Sequence, residues 1–237
     1  MIRIFKIQNM TVLFLNVIIM CILYIFCVEC LAETPLLNAS TEELNEKYKS
    51  GEWQSLNTEP VEIARSSVIS VYYYMYGNRG PVLDVGCGEG FFTENIHKRK
   101  GVYTGIDISE VAINRAKQKR LGFDFQCANL STYEPTRLYS TIIFNEVLYF
   151  VDHKKELIRY SKFLHESGKI IISLMSSNAT SNEHDEIFSV ANNLFSFLHS
   201  MSLSGLTTST TTLTDSTLWI NHYIGYFNIK VYQVKKK

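Results

Sequence analysis

VLDVGCGEG, residues Val82 to Gly90, is an apolar run that breaks abruptly into alternating glycines. The apolar part has the length of a short buried strand. Because glycine has no side chain, a turn rich in glycine lets the backbone approach a ligand closely. Asp84 lies two positions before the first glycine and adds a carboxylate to the turn. The stretch therefore predicts a strand that leads into a ligand-binding loop.

Three glycine-loop patterns compete for this stretch. The dinucleotide pattern G-x-G-x-x-G/A needs a small residue at its sixth position, where Phe91 stands. A phosphate loop needs a Lys followed by Ser or Thr after its glycines, and the sequence has neither there. The third pattern, D-x-G-x-G-x-G, is met at every position, by Asp84, Gly86, Gly88 and Gly90. The sequence therefore favours the third pattern.

Outside the loop, short apolar runs alternate with helical stretches, which is the pattern of a parallel sheet covered by helices. The predicted strands are 82–85, 102–106, 123–127, 140–145 and 169–174, with helices that begin near Phe91, Ser109 and Asp152. Upstream, Ser40 and Glu43 form a capping box that predicts a short helix. A second helix follows Pro60, and its predicted sheet-facing positions are Val61, Ala64, Val68, Val71 and Met75.

The C-terminal part departs from this alternation. A helical pattern covers 183–201, and a Ser/Thr-rich segment and the alternating stretch Phe227 to Val231 follow it. We expect the last two to form a pair of antiparallel strands, and a flexible linker is the alternative for the Ser/Thr-rich segment.

Composition narrows the classes of function. The formal net charge of the 237 residues is zero, so the sequence gives no electrostatic reason to expect a nucleic-acid partner. Cysteine and histidine do not occur at metal-ligand spacings, so no metal site is predicted. The five cysteines form no disulfide framework.

With its D-x-G-x-G-x-G stretch and an acidic residue at the end of VYTGID, the sequence resembles the class I S-adenosylmethionine-dependent methyltransferases. The stretches GFFTENI and NEVLYF are most similar to the nodulation-type branch of small-molecule N-methyltransferases. The resemblance implies an α/β fold with a Rossmann-like, doubly wound, seven-strand sheet. This sheet is mostly parallel with a C-terminal antiparallel strand, inside a three-layer αβα architecture. The cofactor that it implies is S-adenosyl-L-methionine.

The resemblance also assigns roles to residues around the loop. Asp84 orients the amino group of the cofactor, and Asp107 accepts the ribose hydroxyls, although a simple helix-start carboxylate is the alternative for Asp107. Asn129 takes the adenine amino group at a position where the family commonly has Asp. The complete predicted cofactor-binding set is Asp84, Gly86, Cys87, Gly88, Gly90, Asp107, Ile108, Asn129, Leu130 and Asn145.

Glu146 and Tyr149 follow the fourth strand, where members of the family line the transfer site, and they are the predicted catalytic residues. Glu146 either receives the proton of the acceptor or binds its ammonium group, and a helix-capping carboxylate is the alternative. The predicted reaction is methyl transfer to an N or O atom of a small-molecule acceptor. A cofactor-binding module without catalysis and an NAD-linked oxidoreductase remain the alternatives.

The N-terminal segment raises the question of compartment. Arg3 and Lys6 precede an apolar run from Thr11 to Val28, so residues 1–32 are expected to be a signal peptide or a membrane anchor. This predicts a membrane-associated or secretory location, with a cytosol-facing domain if the segment is an anchor or the start is misassigned. Residues 33–80 are expected to form a helical segment that caps the site, and residues 81–237 the methyltransferase domain.

Overall fold

The central sheet of the computed structural model has its seven strands within the described residues, which are 40–53, 58–97, 101–176, 181–212 and 218–235. The strands are β1 (Val82–Val85), β2 (Tyr103–Asp107), β3 (Asp124–Cys127), β4 (Tyr139–Asn145), β5 (Leu164–Ser176), β6 (Phe195–Thr212) and β7 (Leu218–Val234). Their spatial order is β3-β2-β1-β4-β5-β7-β6. Strands β1 to β5 pair in parallel, whereas β7 runs antiparallel between β5 and β6. The predicted mostly parallel seven-strand sheet with a C-terminal antiparallel strand is confirmed.

Helices cover both faces of this sheet. They are α1 (Thr41–Ser50), α2 (Pro60–Tyr76), α3 (Glu110–Lys119), α4 (His153–Ser161) and α5 (Ser181–Leu194), with short 3-10 helices at Phe91–Asn95 and Leu148–Phe150. One hydrophobic cluster joins α2 and α3 to one face, through residues such as Ile69 and Ile113. A second cluster joins α4 and α5 to the other face, through residues such as Leu157 and Ile187. The three layers are therefore helix, sheet and helix, as predicted.

Local capping explains where three of the helices begin. Ser40 and Glu43 form the predicted capping box, in which each side chain accepts a hydrogen bond from the other residue's backbone N–H. The Ser109 hydroxyl accepts from Ala112 N at the start of α3. The Asp152 carboxylate likewise accepts from Lys155 N at the start of α4. Each cap satisfies a backbone donor that the first turn of a helix leaves unpaired.

The face that α2 turns to the sheet is only partly the predicted one, since Val61 and Val68 pack inward as expected but Val71 and Met75 do not. Met75 is 64% exposed and Val71 is also exposed, whereas Ile69, Tyr72 and Tyr73 are buried. Aromatic rings bury more apolar surface than the side chains of Val or Met, so the two tyrosines take the sheet side. The Tyr72 hydroxyl also reaches His199 Nδ1 on β6 at 2.8 Å.

Two predicted helix boundaries also change. The helix predicted to begin near Phe91 is a single 3-10 helix that ends at Asn95. The helix predicted over 183–201 ends at Leu194, and β6 begins at the next residue. Phe195 is buried beside Tyr232 of β7, so pairing with a distant strand decides this boundary. The Ser/Thr-rich segment is strand rather than linker as far as Thr212, and residues 213–217 lie outside the described residues.

The expected membrane-associated or secretory location is corrected. None of the helices in the described part of the chain is both long enough and apolar enough to cross a bilayer. Residues 1–32, on which that expectation depended, lie outside the described residues.

Candidate active site

The predicted site residues meet where three adjacent parallel strands end. Val85 of β1 is in register with Ile106 of β2 on one side and with Phe144 of β4 on the other. The residues that follow these positions, Gly86, Asp107 and Asn145, therefore lie along one edge of the sheet. In open α/β sheets, ligands bind at this carboxyl edge.

The glycine loop exposes bare backbone at this edge. Gly86, Gly88 and Gly90 have φ values of 74°, 53° and 76°, in the left-handed region that favours glycine. The amides of Gly86 and Cys87 both donate to the carbonyl of Ile106, which ties the loop to the end of β2. A Cβ placed on Gly88 would stand 2.8 Å from the Tyr48 hydroxyl oxygen, so a side chain does not fit there.

Asp107 is joined directly to this loop. Its Oδ2 accepts from Gly88 N at 2.9 Å, and its Oδ1 accepts from Ser109 N at 2.8 Å. Burial raises the pKa of Asp107, and the two backbone hydrogen bonds oppose that rise. Because each carboxylate oxygen has two acceptor sites, one on each oxygen remains for a ligand hydroxyl.

Asp84 is a buried carboxyl group on β1, and it is only 3% exposed. Tyr103 donates its hydroxyl to Asp84 Oδ2 at 2.9 Å. Burial raises the pKa of Asp84 to about 7, although the Tyr103 hydrogen bond lowers it. A nearby cation would favour the charged form of this group.

Cys87 and Ile108 support the loop and the end of β2. Cys87 is buried, and its sulfur would lie 2.8 Å from a Cβ on Gly105. The thiol therefore occupies the space that a side chain at this position of β2 would need. Burial raises the pKa of the Cys87 thiol well above its usual value, which makes it a poor nucleophile. The carbonyl of Ile108 accepts a long contact from Cys127 Sγ at 3.5 Å.

Asn129 and Leu130 lie in the turn that follows β3. The amide of Ala128 donates to the carbonyl of Asp107 at 2.8 Å, which brings this turn next to the end of β2. Asn129 is exposed, and its side-chain oxygen accepts from Ser131 N at 2.8 Å. The carbonyl of Leu130 accepts from the Tyr160 hydroxyl at 2.8 Å.

Glu146 joins the ends of β4 and β5 and has a φ of 57°, which is uncommon for a residue with a side chain. Its Oε2 accepts from Met175 N at 2.9 Å and from the Tyr149 hydroxyl at 3.0 Å. Its Oε1 lies 3.5 Å from Arg65 Nη1. Burial raises the pKa of Glu146, and the Arg65 guanidinium opposes the rise. These contacts do not form a helix cap.

Arg65 and His184 were not found from the sequence. Arg65 is buried on α2, pairs with Glu62, and donates to Asn145 Oδ1 at 2.5 Å. In the sequence, Arg65 stands four residues after Val61 and four before Ile69, which places a charged side chain on the same helix face as two apolar ones. That spacing was the available indication of a buried arginine. His184 on α5 is 3% exposed, and the sequence carries no signal that would have separated it from the other histidines.

The first helix lies against the glycine loop. Tyr48 is buried, and Trp53 packs edge to face on it with ring centroids 4.5 Å apart. Arg115 of α3 donates both to Tyr48 O at 2.8 Å and to Glu89 Oε1 at 2.9 Å, so it joins α1 to the loop. Whether residues 33–80 cap a bound ligand stays a prediction.

Comparison with known proteins gives a family match. A sequence model of the family described as "Methyltransferase domain" matches residues 78–213, more than half of the chain. The ubiquinone biosynthesis O-methyltransferase of Coxiella burnetii is 31% identical over 103 residues, which are 41% of this chain and 44% of that protein. The chain thus spans less than half the length of this curated relative.

Solved structures give the same fold. The N-methyltransferase NodS of Bradyrhizobium japonicum, in complex with S-adenosyl-L-homocysteine, superposes with a TM-score of 0.57 at 16% identity, covering 76% of this chain and 91% of that one. The magnesium protoporphyrin IX methyltransferase of Synechocystis, with S-adenosylmethionine bound, gives a TM-score of 0.55 at 16% identity, covering 84% and 100%. At such low identity these likenesses show the fold, and the sequence-model match confirms the resemblance found in the glycine motif.

Proposed function

Because the chain belongs to the methyltransferase domain family, we propose that it transfers a methyl group from S-adenosyl-L-methionine to an N or O atom of a small-molecule acceptor. The observation that carries this proposal is the hydrogen bond from Gly88 N to Asp107, which fixes a strand-end carboxylate beside a glycine loop. The carboxylate offers acceptor oxygens for two ribose hydroxyls, and the bare loop offers close approach for the rest of the cofactor.

The residues at the sheet edge fit this cofactor. Asp107 would hold the ribose, and the buried carboxyl of Asp84 would hold the ammonium group. The side-chain oxygen of Asn129 retains a second lone pair for the adenine amino group. The other residues of the proposed cofactor site are Gly86, Cys87, Gly88, Gly90, Ile108, Leu130 and Asn145.

The acceptor side is formed by Glu146 and Tyr149. When bound, S-adenosyl-L-methionine would supply an activated methyl group, because the methyl is attached to a positively charged sulfur that becomes a neutral thioether after the transfer. The protein's own task is to hold the acceptor, exclude water and remove the acceptor's proton. As the Tyr149 oxygen receives that proton, the Tyr149 hydroxyl proton moves to Glu146 Oε2, 3.0 Å away. Burial raises the pKa of Glu146, which makes its carboxylate a stronger proton acceptor.

Calorimetric titration of the full chain with S-adenosyl-L-homocysteine tests the cofactor site. We expect the wild-type chain to bind and Asp107→Ala to lose most of its affinity, because the ribose hydroxyls lose their acceptor. Asp124→Ala is the matched control, since Asp124 is an exposed carboxylate at the start of β3 that hydrogen-bonds Gln126. Equal affinity of the wild type and Asp107→Ala would contradict the proposed site.

Transfer is measured with methyl-labelled S-adenosyl-L-methionine and a panel of small amines and phenols. We expect label in at least one acceptor and loss of that transfer in Asp107→Ala. Binding of the cofactor without transfer to any member of the panel would favour the alternative, a cofactor-binding module without catalysis.

A further inference from the structure

Two residues of α4 reach across to the turn that follows β3. Arg159 Nη1 donates to the carbonyl of Tyr133 at 2.6 Å, and Arg159 Nη2 donates to the carbonyl of Leu130. The neighbouring Tyr160 hydroxyl donates to the same Leu130 carbonyl at 2.8 Å. One arginine therefore holds two carbonyls of a single turn, and its rigid planar fork suits that geometry.

The Arg159 side chain is itself fixed in place. Its Nε donates to Glu156 Oε2 at 2.7 Å, and Glu156 is only 1% exposed. The guanidinium also lies over the Tyr160 ring, 4.3 Å from the ring centroid. Paired hydrogen bonds from a charged donor are stronger than neutral ones and hold their acceptors in one geometry. The anchor for the turn is therefore a buried carboxylate on the same helix.

The anchored turn carries the proposed adenine contacts. Asn129 lies inside it, with its side-chain oxygen accepting from Ser131 N and its carbonyl accepting from Thr132 N and Tyr133 N. The beginning of the turn is tied to the carbonyl of Asp107 through Ala128 N. One end of the turn is thus fixed to the end of β2, and the other end is fixed to α4.

We infer that Arg159 is a positioning residue for the nucleobase of the cofactor, because it holds the turn that presents the Asn129 side chain to the ring. This inference rests on the proposed function. Preorganised contacts bind more tightly because less ordering is left to the moment of binding. Loss of the two charged hydrogen bonds should therefore weaken cofactor binding through Asn129.

A double-mutant cycle on the full chain tests this coupling, with the dissociation constant for S-adenosyl-L-homocysteine as the readout. We expect Arg159→Met and Asn129→Ala each to weaken binding by up to about tenfold, the upper end for the loss of one hydrogen bond. If Arg159 acts through Asn129, the double variant is weakened little more than either single one. Independent effects would multiply to about a hundredfold and would overturn the inference.

Arg137→Met is the matched control for the loss of an arginine that holds backbone. Arg137 Nη1 donates to the carbonyl of Gly101 at 2.6 Å, before β2 begins and therefore away from the carboxyl edge. The affinity of Arg137→Met for S-adenosyl-L-homocysteine should stay within about twofold of wild type, since Arg137 donates its hydrogen bonds to Gly101 and Thr104 and not to the carbonyls of the turn. A loss equal to that of Arg159→Met would overturn the inference.

Amide hydrogen exchange of the variant without ligand separates positioning from general destabilisation. In Arg159→Met we expect faster exchange at Ser131, Thr132 and Tyr133, with unchanged protection in β4. If Arg159→Met fails to fold, two milder variants are used for the same test. They are Arg159→Lys and Tyr160→Phe, and the second removes one donor to the Leu130 carbonyl. Unchanged affinity in a folded Arg159 variant would overturn the inference alone. Absence of binding by the wild type would overturn the proposed function, and the inference with it.

Discussion

Asp84 connects burial to cofactor binding at the scale of a single residue. Burial raises the pKa of Asp84 to about 7 in the unliganded chain, so this carboxyl is partly protonated near neutral pH. An ammonium group of the ligand needs the ionised form. We therefore expect the affinity for S-adenosyl-L-homocysteine to fall as pH drops below about 7, by up to about tenfold per pH unit. Calorimetric titrations between pH 5.5 and 8.5 measure this dependence.

Asp84→Asn is the variant that isolates this effect, because the amide cannot ionise. It should bind more weakly than wild type at pH 8 and show little change in affinity with pH. The effect of Asp84 on folding stability has the opposite pH dependence to its effect on ligand affinity. Because the folded pKa is raised above the unfolded value, the stability contributed by protonated Asp84 is lost as pH rises through about 7. A wild-type affinity that is constant across this pH range would contradict the role of Asp84.

Glu146 is the second residue whose charge has a predicted consequence. In Glu146→Gln, the side chain keeps its shape but cannot receive a proton through Tyr149. We expect turnover of an acceptor found in the panel to fall about a hundredfold or more, as for the loss of a general base. The affinity for S-adenosyl-L-homocysteine should fall far less than turnover, because Glu146 lies on the proposed acceptor side. Glu166→Gln, at an exposed position of β5, is the control.

The residues of the site differ in how far the sequence could predict them. The positions of Asp84 and Asp107 were predictable because they depend on a local motif and on the end of a strand. Arg65 was not, because its partners Asn145 and Glu146 are brought to it only by the packing of α2 on the sheet edge. A sequence motif records chain-local geometry, and contacts between distant elements leave no such record.

Helix α1 is the element whose docking bears most directly on the site. The Asn45 side-chain oxygen accepts from Ser109 Oγ at 2.7 Å and from Val111 N at 3.4 Å, so it fixes α1 to the start of α3. We expect Asn45→Ala to loosen α1 locally and to speed tryptic cleavage after Lys47 and Lys49. Limited proteolysis followed by mass analysis measures the rate.

The control for this element is Glu42→Ala, at an exposed position of the same helix. It should leave the rate of cleavage in α1 close to wild type. The global free energy of unfolding should change by no more than about 1 kcal/mol in Asn45→Ala, as for the loss of a hydrogen bond. If cleavage in Asn45→Ala were no faster than in Glu42→Ala, the contact with α3 would not hold the helix.

At the element scale, the parallel strands were predictable and the boundary between α5 and β6 was not. Strands β1 to β4 are short apolar runs bounded by turn residues, and each begins and ends within about one residue of its predicted bounds. Between Leu194 and Phe195 the sequence has no Gly or Pro to mark a change. That boundary depends on pairing with β7, which is far away in sequence. A prediction from local periodicity therefore placed the end of the helix too late.

At the scale of the whole molecule, the site is assembled from both helical layers at one edge of the sheet. Arg65 comes from α2 on one face, and Arg159 comes from α4 on the other. Each arginine extends from its helix to the end of a strand or the turn after it: Arg65 contacts Asn145 and Glu146 at the end of β4, and Arg159 contacts the turn after β3. The geometry of the site therefore depends on the packing of both layers, and a substitution in either layer can reach it.

At the scale of the whole fold, we expect His184 to lower stability in acid. Burial lowers the pKa of His184 below its usual value of 6.5, against the opposing charge of Asp185, and its Nδ1 has no hydrogen-bond partner among the described residues. At acid pH the unfolded chain binds a proton at His184 more readily than the folded chain does. The stability that is present above pH 6.5 is therefore lost as pH falls. Relative to His184→Gln, the free energy of unfolding of wild type should drop by up to about 1.4 kcal/mol per pH unit.

Urea unfolding of wild type and His184→Gln between pH 5 and 8 measures this difference directly. Taking the difference between the two proteins cancels the opposite contribution of Asp84, whose pKa is raised rather than lowered. His165→Gln, at an exposed position of β5, is the control for loss of a histidine. If the difference between wild type and His184→Gln stayed constant with pH, the imidazole would not be held in a site that disfavours its charge.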